Sequence, residues 1–450
     1  MTILILIARI VVIAAMLFLT AYAFRHYSLA IHRLRNRTPR DYGELAGFVV
    51  PKISVLVPMH NEEKVAADIL KALVDCDYDW NRLEIIPVND RSTDGTKAII
   101  DDFAARYPQL VKPLHRDSGD GGKPAALKDA TKLVTGEVII LFDADYIPGR
   151  SMLKMLAAPF ADAEIGAVMG RVVPQNLGES MLSALLSLER AAGYQTVQQS
   201  RYNAGFNAQF GGTVGGVRLS ALESVDGWNE RSLTEDTDLT FALALRGWRV
   251  AYVNRAECYE EAPATWAVRR RQLSRWVMGH TQCLHDYLMP VLRSHHLSKI
   301  EKLDAAMLLG MYWTAPVMIA GWLASLVLFF ATPAHYVPIF SIALILLAYQ
   351  IGANQATFSE IGVAALLDGS GQRVLLIPFN LLNFFTSAGA ITGAILRFYW
   401  RALRGKGNGG WDKTKRSRNG SAPAGGMESL VTRGPDGRYY LDPAKTKENH

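Results

Sequence analysis

The sequence is poor in cysteine. Three occur in 450 residues, Cys76, Cys258 and Cys283, with neither paired nor metal-ligand spacing, which excludes a disulfide framework and leaves free thiols. Charge is missing from one long stretch, since no Asp, Glu, Lys or Arg lies between Ala305 and Ser359. No small-residue cleavage site follows the apolar opening TILILIARIVVIAAMLFLTAYAF at 2–24, which excludes a removed secretory signal and predicts a retained membrane anchor. No internal repeat is evident.

What is present is half hydrophobic, 50%, yet carries a net charge of +6, so apolar and basic residues must be segregated along the chain. Arg25, Arg33, Arg35, Arg37 and Arg40 follow the anchor and place its near side in the cytoplasm. The uncharged stretch, divided by TPAH near Pro333, reads as a transmembrane hairpin. A third apolar stretch, 374–396, holds Pro378, Asn380, Asn383, Ser387, Gly389 and Gly393 and is followed by Arg397, Arg401, Arg404 and Lys406. As a third span it would leave the basic tail outside, so the charge rule favours an interfacial or re-entrant helix. The expected organisation is an anchor at 1–26, a cytoplasmic domain at 27–265, interfacial helices at 266–303, a hairpin at 304–356, the third apolar segment at 357–404 and a basic, mobile tail at 405–450.

Between anchor and hairpin, short apolar runs at 53–58, 83–90, 138–145 and 165–172 end in polar residues, and helical patterns separate the first three. The alternation predicts an α/β domain with a parallel sheet and a ligand beyond the carboxyl ends of its strands. Pro87 is a departure, because proline removes a ladder donor.

The strand ends carry PMHNEE with Pro58 and Glu62, NDRSTDGT with Asp90 and Asp94, and DAD with Asp143 and Asp145. On a strand tip the last two carboxylates share a face and offer hard oxygens to Mg²⁺ or Mn²⁺; a solvated acidic turn is the plainer alternative. Lys123 opens a helix after glycines, an arrangement that suits phosphate, and Asp90 and Asp94 could equally be turn formers. GGTVGG at 211–216 predicts close backbone approach. LTEDTDL opens a further helix with Thr234 as its cap and Glu235 and Asp236 in its first turn, where dipole complementarity alone could explain the acids. RRRQLSRW at 269–276 carries four arginines.

In this order, PxxNE, a strand ending in Asp, a Gly-Lys loop, DxD, a Gly-rich loop, TED and QxxRW, followed by apolar spans, the chain resembles glycosyltransferase family 2 over residues 50 to 416, in particular the membrane-embedded cellulose, chitin, hyaluronan and poly-N-acetylglucosamine synthases. The resemblance implies a GT-A nucleotide-sugar fold joined to α-helical transmembrane and interfacial helices. It implies that Pro58, Glu62, Asp90 and Lys123 hold the donor, Asp143 and Asp145 lie at a divalent metal, and Gln272 and Arg275 hold the diphosphate. It makes Asp236 the general base beside Glu235, gives Trp276 and Thr234 to the acceptor, and likens WDKTKR, with Trp411, Thr414 and Lys415, to a gating loop. Inversion at the anomeric carbon would follow.

For Arg269, Arg270 and Arg271 the favoured reading is contact with lipid headgroups; nucleic acid is disfavoured because no aromatic platform accompanies them. Two enzymatic readings stand: a processive synthase making and exporting a β-linked polysaccharide from UDP-glucose or UDP-N-acetylglucosamine, which the gating-like segment and the surface helices favour, and a transferase adding one sugar to ceramide or diacylglycerol. With so few spans the first would need a narrow channel or one shared with a second copy or an export partner. A catalytically silent sensor would lack DxD or Asp236, and both are present.

Overall fold

The computed structural model describes residues 2–36, 42–331, 356–369, 371–404, 431–433 and 439–441. Its centre is one eight-stranded sheet, built from β1 (Ile53–Met59), β2 (Leu83–Asp90), β3 (Leu114–Arg116), β4 (Val138–Leu141), β5 (Ile147–Pro148), β6 (Ile165–Pro174), β7 (Gly215–Arg218) and β8 (Arg249–Glu260) in the order β3-β2-β1-β4-β7-β6-β8-β5. A two-stranded ribbon of β9 (Val431–Arg433) and β10 (Tyr439–Leu441) stands apart from it in sequence.

The expected all-parallel sheet is corrected to a mixed one. β1, β2, β3 and β4 run parallel, but β7 pairs antiparallel with both β4 and β6. The four-residue strand GGVR has too few side chains to show a period, so only tertiary pairing reveals it. Pro87 nonetheless lies inside an interior strand. Ile85 exchanges backbone bonds with Leu110 and Lys112, and Pro87, two residues on, faces the same side, where β3 does not begin until Leu114. The missing donor therefore falls in a gap of the ladder.

Short helices cover the sheet: α2 (Ala66–Val74), α3 (Thr96–Arg106), α4 (Lys123–Thr131), α5 (Met152–Ala157), α6 (Met181–Ala191), α7 (Gln199–Asn203), α8 (Leu219–Glu223) and α9 (Glu235–Leu245). The largest core cluster fills the space between them and the strands, with Leu56, Ile85, Ile140 and Tyr252 fully buried. A π-helical turn, Ala192–Gln198, joins α6 to α7.

The remaining helices lie outside the sheet domain in sequence. α1 (Thr2–Arg35) precedes the sheet; α10 (Trp266–Arg293), α11 (Lys299–Leu309), α12 (Thr314–Ala331), α13 (Ala356–Leu367) and α14 (Asn380–Leu403) follow it. Three helical stretches, Thr2–Arg35, Met311–Ala331 and Arg373–Leu403, are long and apolar enough to cross a membrane. The return limb expected for the hairpin and the gating-like residues Trp411, Thr414 and Lys415 lie outside the described residues.

α1 runs well beyond the anchor expected at 1–26, because its last turns have polar partners elsewhere in the fold. Arg25 donates to Asp304 at 3.0 Å, and the buried Arg33 donates to the Gln195 carbonyl in the π-turn at 2.8 Å. Arg201 of α7 completes a triad on Asp304 at 2.9 Å. Basic residues read as an orientation signal thus also fasten α1 to the sheet domain.

Candidate active site

A cavity of about 750 Å³ opens over the carboxyl ends of β1, β2 and β4. It is lined by Pro58, Glu62, Asp90, Lys123, Asp143 and Asp145 from the first half of the domain. Thr234, Glu235 and Asp236 at the start of α9, and Gln272, Arg275 and Trp276 on α10, close the other side. Twelve residues singled out from separate motifs therefore share one cavity.

Each is positioned by local chemistry. Asp90 ends β2 and accepts from Arg116 at 2.7 Å and from the Gly122 backbone N–H at 3.1 Å, which ties the strand end to the start of α4. Gly122 adopts φ 108°, a conformation that glycine supplies without a Cβ penalty, and so sets Lys123 on the first turn of α4. The Lys123 ammonium donates to Asp143 at 2.6 Å and to the Gly212 carbonyl at 2.8 Å, and lies 3.5 Å from Glu235. Burial works against that charge, but Asp143 and Glu235 outweigh it and hold the lysine pKa above its ordinary value.

Asp143 and Asp145 do not lie on a strand tip. β4 stops at Leu141, and the DxD forms a turn closed by the Tyr146 N–H on the Asp143 carbonyl at 3.2 Å. Strand alternation therefore does not govern the two carboxylates. Among the described residues no three His, Cys, Asp or Glu side chains are grouped to hold a metal ion. With Asp143 already bound by Lys123, the site fits a hard cation that takes one or two carboxylates here and its remaining oxygens from a diphosphate or water.

Thr234 occupies the N-cap of α9, yet its side chain makes no capping bond. Its hydroxyl instead lies 3.6 Å from the Cys283 sulfur on α10, and a Cβ built on Gly279 of α10 would come within 2.3 Å of the Thr234 methyl. The glycine lets α9 and α10 touch at the catalytic turn. Gly212, at φ 69°, approaches Asp236 in the same way, with 3.1 Å between a built Cβ and the aspartate Cβ. The close approach expected of GGTVGG is therefore made against Asp236.

Burial, and then the neighbouring Glu235 charge, push the Asp236 carboxyl up to about 6. The Thr237 N–H, Lys123 and Arg275 act in the opposite sense. Behind it, burial holds His280 down to about 4, and its ring nitrogen lies 3.2 Å from the Thr237 hydroxyl. The Arg275 Nε is buried without a hydrogen-bond partner among the described residues, so a cation faces the cavity with donor capacity unspent.

Arg269 corrects the lipid-headgroup reading. It is 5% exposed, donates to Glu189 at 2.5 Å and to Gln272 at 3.2 Å, and stands 5.4 Å from the Trp276 ring centre. Arg190 stands over the same ring at 5.1 Å, so the indole meets two guanidinium groups. Arg270 and Arg271 remain exposed. Glu189, Arg190, Tyr194, Glu260 and His280 also line the cavity and were not legible in sequence; none of the five lies in a motif, and the π-turn that presents Tyr194 gives no pattern. A second set, Tyr22, Leu308, Met311, Tyr312, Phe384 and Ile391, extends the same cavity into the apolar helices.

A family model described as glycosyltransferase like family 2 matches residues 51–279. A Bacillus subtilis protein called probable glycosyltransferase YdaM is 32% identical over 60% of this chain and 64% of its own length. The beta-monoglucosyldiacylglycerol synthase of Synechocystis is 32% identical over 58% of this chain and 55% of its own length. The chain thus spans less than two thirds of the length of these relatives. In fold it is similar to a mannosyltransferase of Pyrobaculum calidifontis solved with GDP-mannose and Mn²⁺, at a TM-score of 0.55 and 19% identity, over 79% of this chain and 98% of that one.

Proposed function

Since the chain belongs to glycosyltransferase family 2, we propose that it moves one hexose from a nucleoside-diphosphate sugar, a UDP-sugar in the first instance, to the hydroxyl of a diacylglycerol-like lipid at a membrane surface. The observation that carries this reading is the lining of the cavity, which joins the carboxylates and Arg275 to apolar side chains of α11, of the turn Met311–Trp313 before α12, and of α14. A lipid acceptor needs both: a polar end for the reacting hydroxyl and an apolar channel for its chains. The Synechocystis relative's name supports the same acceptor class. This reverses the order of the two sequence readings, because the gating-like residues lie outside the described part of the chain and the relative's name favours the second.

In this reading α1, α12 and α14 sit in the membrane and the sheet domain lies at its cytoplasmic face. Pro58, Glu62 and Asp90 line the nucleoside end; Arg275 and Gln272 meet the diphosphate. A divalent cation at Asp143 and Asp145 would act as a Lewis acid on the leaving diphosphate. Asp236 takes the proton of the acceptor hydroxyl as that oxygen attacks the anomeric carbon, and attack opposite the diphosphate inverts the centre. A pKa near 6 suits this role, being raised toward the working pH while leaving the carboxylate mostly ionised at neutrality. Trp276, stiffened by Arg190 and Arg269, offers an apolar wall beside Thr234. Incubation of the purified chain with labelled UDP-glucose and diacylglycerol tests the reading: label should move into an organic-extractable single-sugar lipid in the wild type and not in Asp236→Asn.

A further inference from the structure

A second cavity, of about 660 Å³, lies outside the active site between the first turns of α10 and the middle of α14. Below it the two helices pack tightly through Leu273, Val277, Ala394 and Ile395; above that seam they part. One wall is formed by Trp266, Arg269, Arg270 and Leu273, spaced i, i+3, i+4, i+7 on one helical face, and the other by Thr386, Gly389, Ala390, Gly393 and Arg397 on the facing one.

Two features show what this groove takes. Glycine inside a helix is destabilising relative to alanine, and a glycine at a helix seam commonly lets a neighbour approach. Here a Cβ built on Gly389 or Gly393 would meet nothing within 4 Å. These glycines keep space open instead of closing it. Second, the lining contains Arg269, Arg270 and Arg397 and no acidic side chain. Phe385 and Trp266, both exposed, flank the opening.

We propose that this groove binds one anionic phospholipid as a bound lipid distinct from the acceptor, its phosphate held by Arg270 and Arg397 and an acyl chain laid over Gly389, Ala390 and Gly393. The proposal rests on the membrane placement of α14 given above. Basic pockets between helices at the cytoplasmic side of a membrane have the charge and position to select such headgroups. Because Arg269 also holds Glu189 and Gln272 and faces Trp276, the bound lipid abuts the wall of the active site.

The full chain reconstituted in nanodiscs of phosphatidylcholine with one tenth phosphatidylglycerol, then stripped by mild detergent and analysed for retained lipid by native mass spectrometry, tests this. Wild type should retain about one phosphatidylglycerol, enriched at least tenfold over phosphatidylcholine, and inorganic phosphate should not displace it. The double variant Arg270→Gln, Arg397→Gln should fall to the bulk lipid ratio, as should Gly393→Leu, which fills the groove from its other wall. Retention at the bulk ratio by wild type, equal enrichment in wild type and both variants, or displacement by inorganic phosphate would each overturn the proposal. Retention is read without turnover, so it stands or falls separately from the glycolipid assay.

Discussion

Asp236 is the residue on which the proposed chemistry turns, and its surroundings make its behaviour measurable. Replacing it by Asn should lower turnover by about 10²- to 10⁴-fold while nucleotide-sugar binding persists. The same change should raise the melting temperature, because a carboxylate whose pKa is raised to about 6 binds its proton more tightly folded than unfolded, and its ionised form at pH 7.5 therefore costs stability that the neutral amide does not. As a base it must be deprotonated, so kcat/KM should fall as pH drops through about 6. Lys123→Met should move that acid limb to higher pH, since the lysine charge acts to lower the Asp236 pKa; an unmoved limb would show that the limb belongs to another group. At this scale much was legible, because PxxNE, DxD, TED and QxxRW are local strings whose letters survive without a fold. Glu189, Arg190 and Tyr194 were not, since they join the cavity only when α6 and the π-turn are laid against α10. Arg269 was misread for a related reason: a run of exposed-looking arginines gives no sign that one of them faces inward.

Helices, strands and turns carry a second set of expectations. The contact of α9 with α10 depends on Gly279, so Gly279→Ala should displace the Thr234–Asp236 turn and depress kcat more than it depresses stability, where overpacking costs about 1–3 kcal/mol. Steady-state kinetics alongside a melting curve separates the two effects. The fastening of α1 makes a different demand. Asp304 is 8% exposed between Arg25 and Arg201, and Asp304→Ala would leave two cations buried without their counter-charge. Unfolding in detergent should show a loss of about 3–5 kcal/mol. Strand positions at 53–59, 83–90 and 165–174 follow from their apolar runs, whereas β7 and its antiparallel pairings do not, because a strand of four residues is specified by its neighbours and not by its own period. DxD slid from strand to turn because β4 stops at Leu141, although the apolar run continues through Phe142 to Asp143.

For the molecule as a whole, hydropathy identified the apolar segments, and three helices of sufficient length are found there. It could not tell what they enclose. The cavity that joins polar motifs to apolar helices arises from the packing of α1, α11, α12 and α14 around the sheet, which no single stretch of sequence encodes. In the proposed reading, that junction is what suits a nucleotide-sugar site to a lipid hydroxyl. Product analysis tests it most directly: the purified chain is given diacylglycerol and, in turn, labelled UDP-glucose, UDP-N-acetylglucosamine and GDP-mannose. The account predicts that with one of these donors the label passes into the organic phase as a lipid bearing a single sugar. Label in high-mass material that resists lipid extraction, with none in a glycolipid, would contradict it.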